Sequence, residues 1–307
     1  MWFWLSLIAI LFWSGSDLFS KLGSPRDDKY SHWKIVMAVG TIMGIHAVVE
    51  IVRGAEFHIR DMITYLPASS MYILSMIIGY VGLRYLVLSL STPICNCSGA
   101  VAAALCFLLL NQTMTTKQLI AVILITLAIF SISVLEKHYE NQERSERGEI
   151  PDAKYTHSFL ALFLPIAYCV IDALGTFFDG LLLQETDEAG TVISGYLSEE
   201  SANIAYELTF LLMAVFAFVF VVIIKKEKLS FSSEKSRIAG GLCETAGQLA
   251  YIYAIGDNII VAAPLISSYC LFSMLWARIF LKEKLTKAQY VLIAIAAVGI
   301  ILMGFEG

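Results

Sequence analysis

The stretch "PLISSYCLFSMLWARIFLKEKLTKAQ" occupies residues 264–289, and "PICNCSGAVAAALCFLLLNQTMTTKQ" occupies residues 93–118. Laid in one register, Pro93 meets Pro264, Leu110 meets Leu281, Gln112 meets Glu283, Thr115 meets Thr286 and Gln118 meets Gln289. Each stretch is a proline-led apolar run of helical length, then a short polar turn, then the start of another apolar run. A proline, a Leu-x-Gln/Glu-x-Met/Leu-Thr turn and a trailing glutamine in a single register mark an internal repeat.

Working outward, the rest of the chain is written in the same alphabet. Hydrophobic residues make up 58% of the 307 and charged residues 15%. A soluble domain is nearer to half apolar and a quarter charged, so these values point to membrane-spanning helices. The net charge of −5 and the scatter of basic residues between apolar segments speak against a nucleic-acid partner. Met1 runs into Trp2, Phe3 and Trp4, and the first basic residue is Lys21, so a retained first helix is expected rather than a cleaved signal peptide.

A span needs about 20 predominantly apolar residues. Ten such runs are expected, at 2–22, 34–53, 64–85, 92–111, 117–136, 158–183, 201–225, 237–256, 259–281 and 287–305. The break between the third and fourth falls at "LSLSTP" (88–93), where Pro93 and the Ser/Thr cluster punctuate the run. The charged stretch "KHYENQERSERGEIPDAKYTH" (137–157) reads as a cytoplasmic linker. It divides the chain into two five-helix repeats, 1–136 and 158–307. An odd number of spans per repeat turns the second repeat upside down, an arrangement that secondary transporters use to build a midplane site. The expected fold is therefore an all-α polytopic membrane protein of two inverted five-helix repeats.

Charge orients it. Basic residues gather in loop 1–2 (Lys21, Arg26, Lys29, Lys34), loop 5–6 (Lys137, Arg144, Arg147, Lys154), loop 7–8 (Lys225, Lys226, Lys228, Lys235, Arg237) and loop 9–10. Loop 6–7 carries only acids: Glu185, Asp187, Glu188, Glu199 and Glu200. The basic loops are expected in the cytoplasm, with both termini on the non-cytoplasmic side of the cell membrane.

These residues resemble the ten-helix branch of the drug/metabolite transporter superfamily, built from two EamA-type repeats. The carrying features are the proline-led ninth helix, the turn "FLKEKLT" (280–286), similar to that family's Leu-Gly-Glu-Arg/Lys-Leu-Thr signature, "YAIG" (253–256) and "VGIILMG" (298–304). The first half departs from the pattern, with Gln112 where glutamate is frequent. The resemblance implies carriage of small metabolites and leaves the cargo open.

Ionisable residues inside a span are costly and so are candidates for function. Asp172, in "AYCVIDALGTFFDG", and Glu244, in "GGLCETAGQLAY", lie deepest. Gln248 shares the face of Glu244, and Asp179 lies seven residues after Asp172 on the same face, nearer the outer end. Asp17 sits near the cytoplasmic end of the first helix, either paired with Lys21 one turn on or forming a counterpart of Asp172. The aromatics Trp13, Tyr168, Tyr251, Tyr253, Tyr269 and Trp276 accompany the acids. They read either as packing and interfacial belts or as a cage for an organic cation. His46 and Glu50, with Gly40 and Gly44, read as a helix-packing motif with a local hydrogen bond, or as a proton relay.

No cofactor and no metal site are expected. The six cysteines lie in apolar segments, and the C-x-C of Cys95 and Cys97 points to different helix faces. There is no P-loop, no G-x-S-x-G and no H-E-x-x-H. The leading expectation is a secondary transporter, not an enzyme. It moves a small cationic or zwitterionic metabolite by alternating access, with protons as candidate coupling ions. Asp172, Glu244, Asp17, Gln248, Tyr168, Tyr251, Trp13 and Trp276 are its candidate substrate-binding or proton-coupling residues. The expected partners are that small molecule and the lipid bilayer, the protein being a monomer or homodimer. The alternatives are a non-transporting membrane sensor or scaffold, and an intramembrane enzyme.

Overall fold

The repeat register carries through into three dimensions. A computed structural model describes residues 1–23, 28–85, 97–146, 159–186, 192–229, 231–282 and 285–305. Among the described residues ten helices run in the order α1 (Trp2–Leu22), α2 (Ser31–Arg53), α3 (Ile59–Tyr85), α4 (Ser98–Leu109), α5 (Thr116–Glu146), α6 (Phe159–Leu182), α7 (Glu199–Phe218), α8 (Phe231–Ile266), α9 (Tyr269–Phe280) and α10 (Lys287–Gly304). The aligned stretches give α4 and α9, each 12 residues long and starting at equivalent positions, Ser98 and Tyr269. The chain then turns through a left-handed residue, Asn111 (φ 54°) or Lys282 (φ 58°), again at equivalent positions. The following helix starts at Thr116 in one half and Lys287 in the other.

Both starts are capped in the same way. Thr286 accepts from the Gln289 N–H at 3.3 Å while the Gln289 side chain accepts from the Thr286 N–H at 2.8 Å. Thr115 and Gln118 repeat the exchange at 3.2 and 2.8 Å. Each is a reciprocal capping box that satisfies two of the helix's orphan N–H groups.

Packing follows a two-fold logic. α1 lies along α8 and α3 along α6, while α2 pairs with α7 and α5 with α10. The first helix of each half thus packs on the third helix of the other. α4 packs on α6, and α9 packs on α1. Small residues permit the close approaches: a Cβ on Gly40 would come within 2.3 Å of the Phe210 carbonyl oxygen, and one on Gly44 would strike Leu211. Large apolar side chains face outward along α2 (Ile45, Val48, Val52), α7 (Leu212, Val215, Phe216) and α10 (Val291, Val298, Ile301). Serines and acids, among them Ser6, Ser14, Asp179 and Glu207, are buried instead. That distribution suits a lipid solvent. Among the described residues, five helices are long and apolar enough to cross a membrane: α1, α2, α7 with its extension, α8 and α10.

The elements depart from the expected spans in four places. α8 runs from Phe231 to Ile266, absorbing the start of the expected ninth span, and is interrupted at Asn258 (φ −160°, ψ 84°). The interruption falls in Gly256-Asp257-Asn258, three residues of low helix propensity in a row. α5 continues past residue 136 to Glu146, where the charged stretch supplies the helix formers Lys137, Glu140, Gln142, Glu143 and Arg144. α7 ends in a π-helical turn, Val219–Ile224. Two short antiparallel strands, β1 (Glu185–Thr186) and β2 (Val192–Ser194), lie in the connection between α6 and α7 of an otherwise helical fold. The expected break at 88–93, most of the linker after residue 146, and Glu283 lie outside the described residues.

Candidate functional site

α1, α3, α6, α8 and α9 direct four carboxylates toward one another's neighbourhoods. On α1, Asp17 accepts a hydrogen bond from the Ser273 hydroxyl of α9 at 2.6 Å. This is a tertiary bond that the expectation of a local Asp17–Lys21 pair did not contain. Lys21 acts on Asp17 through space. On α8, Glu244 takes the Ser16 hydroxyl of α1 and feels the charge of Asp17. On α6, Asp172 accepts from Ser75 of α3 at 3.0 Å, and Ser98, the first residue of α4, bonds it as well. The pattern is two-fold: an acid on the first helix of each half is held by a hydroxyl on the fourth helix of the other.

The fourth carboxylate, Asp179, is fully buried. Its oxygens accept from three tyrosine hydroxyls: Tyr65 at 2.5 Å, Tyr72 at 2.6 Å and Tyr251 at 2.9 Å. Tyr65 and Tyr72 are seven residues apart on α3, as Asp172 and Asp179 are on α6. Both tyrosines reach the same aspartate, Asp179, while Asp172 meets Ser75 of the same helix.

An aromatic column joins these acids. The Trp13 ring lies 5.0 Å from Tyr251 and 5.8 Å from Tyr269, centroid to centroid. Tyr251 continues to Tyr72 through a 2.5 Å contact between hydroxyls. Tyr269 lies within electrostatic reach of Asp17, Asp172 and Glu244. Trp276 donates its indole N–H to Ser14 at 2.9 Å, binding α9 to α1 beside Asp17. Tyr168 stands one turn before Asp172 on α6 and is half-buried. Gln248 is buried one turn after Glu244 on α8, and its Nε2 has no partner among the described residues. The Trp13 Nε1 is unpartnered in the same sense.

Beyond Asp179 lies a cavity of about 800 Å³ at the end of the bundle where α1 begins. Asp179, Gln184, Glu199, Asp257, Asn258 and Gln112 are among its lining residues. The interruption of α8 at Asn258 forms part of its wall. Asp257 caps α1 there, accepting the Trp2 N–H at 2.7 Å.

The opposite end is closed by charge. Arg237, the largest fully buried side chain, donates to Asp28 at 2.7 Å and to the Gly23 carbonyl at 2.9 Å, and it pairs with Glu234. Lys34 joins Asp28 at 2.8 Å. Partial burial works to raise the Asp28 carboxyl, but the hydrogen bonds of Lys34 and Arg237 outweigh it and hold the group below the ordinary value of 3.8.

Sequence reading placed Asp17, Asp172, Glu244, Gln248, Trp13 and Tyr251 in spans, and the fold brings them to the α1–α8 and α3–α6 contacts. It missed the hydroxyl partners Ser75, Ser98 and Ser273, and the tyrosine pair on α3. The one available signal was the shared seven-residue spacing. It also gave His46 the wrong main partner. His46 Nδ1 lies 2.8 Å from Glu207 of α7, whereas Glu50 stands 3.9 Å from Nε2. Among the described residues no group of His, Cys, Asp and Glu could hold a metal ion.

The EamA-like transporter family model matches residues 189–305, from the α6–α7 connection through α10. No curated protein matches the chain. One solved crystal structure is similar over 99% of this chain and 96% of its own, with a TM-score of 0.68 at 12% sequence identity. That likeness establishes a shared fold alone. The matched family is one of membrane transporters rather than enzymes. The chain is a multi-pass membrane protein, and its residues 189–305 form an EamA-like transporter domain, of the drug/metabolite transporter superfamily.

Proposed function

We propose that the protein is a secondary transporter that moves a small polar metabolite bearing a cationic group, by alternating access of a site between its two halves. The halves are residues 1–136 and 158–307, joined through 137–157, with both termini on the non-cytoplasmic side. One observation carries the reading. Asp172, Asp179 and Glu244 accept hydrogen bonds from the hydroxyls of Ser75, Ser98, Tyr65, Tyr72, Tyr251 and Ser16, and no cation is among their partners in the described residues, whereas Asp17 has Lys21 near it. Buried carboxylates are normally matched by a buried cation, or they bind a proton. Here the cation is left for the ligand or for protons to supply.

The aromatic column of Tyr251, Trp13 and Tyr269 offers ring faces to an ammonium group beside the acids. The unpartnered N–H groups of Trp13 and Gln248 favour a ligand that also brings an acceptor, so a zwitterion fits better than a simple amine. Tyr168 and Trp276 shape the walls rather than the charge.

A stability-shift screen of purified protein against polar amines, amino acids, nucleosides and vitamins identifies the ligand class. Vesicle flux at two pH values then tests transport. Asp172→Asn and Glu244→Gln are each expected to lower flux at least tenfold without a matching loss of folded protein. If both variants keep full flux with unchanged pH dependence, the site lies elsewhere.

A further inference from the structure

The interface between α2 and α7 holds an ionisable pair that the site above does not use. Glu207 of α7 has a fully buried side chain, and both its oxygens lie within hydrogen-bond distance of His46 Nδ1, at 2.8 and 2.9 Å. Glu50, one turn after His46 on α2, lies 3.9 Å from Nε2, and Arg53 bonds Glu50 at 3.0 Å while standing largely in the open. From α8, Tyr253 faces Glu50, and Glu199 and Glu200 of α7 lie in its field. No other group in this set has its ordinary charge change between pH 5 and 8 except the imidazole.

The proton count decides what the pair can do. With one proton, the pair is neutral overall, either as imidazolium and carboxylate or as imidazole and carboxylic acid. Without it, a buried carboxylate has no cation, and this is strongly unfavourable. Asn203, one turn before Glu207, is almost wholly buried, and its Oδ1 has no partner among the described residues. Its amide N–H donates to the Glu207 carboxylate, which favours the carboxylate form and so leaves the proton to the imidazole. Glu50 is partly exposed and gives the proton a route from the outer end of α2.

His46 belongs to the first half of the chain and Glu207 to the second, and α2 and α7 are each other's repeat equivalents. Gly40 and Gly44 hold the two helices in close contact. The residue next to Glu207, Tyr206, meets Tyr72 edge-on at 5.9 Å, and Tyr72 holds Asp179.

We propose that His46 and Glu207 form a proton-binding site, distinct from the carboxylates around Tyr269, whose protonation clamps α2 to α7 and so couples proton uptake to the relative position of the halves. The coupling role rests on the transport reading; the proton binding does not.

Two measurements on the purified full chain test it, and neither uses a substrate. In nitrogen-15 histidine spectra, the resonances absent from His46→Gln identify His46. Its protonation is expected to change between pH 5 and 9, and Glu207→Gln is expected to move that transition at least tenfold in proton concentration. A His46 that keeps one protonation state across this range, or a transition unmoved in Glu207→Gln, overturns the proposal. For the clamp, nitroxides on unnatural ketone residues at positions 52 of α2 and 216 of α7, both exposed, report the α2–α7 distance by pulsed resonance. The wild-type distribution is expected to shift between pH 5 and 9, and the His46→Lys chain, with a permanent cation, to hold the close distance at both. A pH-independent wild-type distribution overturns the coupling, and so does a His46→Lys chain that still shifts. A failed ligand screen leaves both measurements untouched.

Discussion

Asp17, Asp172 and Glu244 were legible in the sequence because an acid in an apolar run announces itself without any partner. Their hydroxyl partners were not legible, since a serine in a transmembrane helix is common and its contact lies on another helix. Glu207 was passed over although it lies inside the expected seventh span, and its partner His46 stands on another helix of the other half. Trp13 shows how tightly the interior is set. A Cβ on Gly247 would come within 2.4 Å of Trp13 Cδ1 and 2.8 Å of its Nε1. Gly247→Ala must therefore displace the indole from between Tyr251 and Tyr269. The expected cost is about 1–3 kcal/mol of stability. It should be read as a lowered melting temperature, together with a shift in tryptophan emission as the indole leaves its ring neighbours.

At the scale of elements, apolar run length placed most helices within a few residues, because burial in lipid demands length and apolarity together. It failed where those demands relax. The interruption of α8 at Asn258 sits in protein and cavity rather than lipid, and the tail of α5 is polar helix, whose formation apolarity does not report. The ends of α1, α2 and α8 are joined by Arg237, Asp28 and Lys34; sequence charge counting treated Arg237 and Lys34 only as orientation signals and left Asp28 unread. Removing the cation strands Glu234 and the Gly23 carbonyl and leaves Asp28 with Lys34 alone, so Arg237→Met is expected to cost about 1–3 kcal/mol, read as a lowered melting temperature. The pH dependence has a definite sign. The Asp28 carboxyl is held below its ordinary value of 3.8, so the stability it contributes is present above that value and is lost as pH falls through its lowered folded value. Thermal melts from pH 6 down to 3 should show the wild type losing stability in the acid range. Asp28→Asn should begin lower and lose less.

For the whole molecule, the repeat was the feature that sequence read best. Pro93 and Pro264 set a register that the lengths of α4 and α9, the left-handed turns and the capping boxes all obey. The pairing of α1 with α8 and of α3 with α6 was not written in either half alone, because it arises only when two copies meet. Orientation remains testable at this scale. Small epitope tags at residues 1 and 307 are expected to react with impermeant reagents on intact cells, and a tag inserted in the 147–158 stretch only after permeabilisation. The reverse pattern would turn the charge assignment over.

The two left-handed turns also act as a measure of thickness. Leu108 and Leu109 precede Asn111, Ile279 and Phe280 precede Lys282, and all four are exposed apolar side chains. Each pair immediately precedes a polar turn, the place where a surrounding hydrocarbon layer would end. A 12-residue helix is about 18 Å long, well short of a hydrocarbon layer of about 30 Å. In an inverted pair the two turns face opposite leaflets, so one short unit, used twice, sets both borders of the hydrophobic slab. A bilayer of the wrong thickness then loads the α4–α5 and α9–α10 hairpins alike, and the mismatch is shared between leaflets instead of tipping the protein toward one of them.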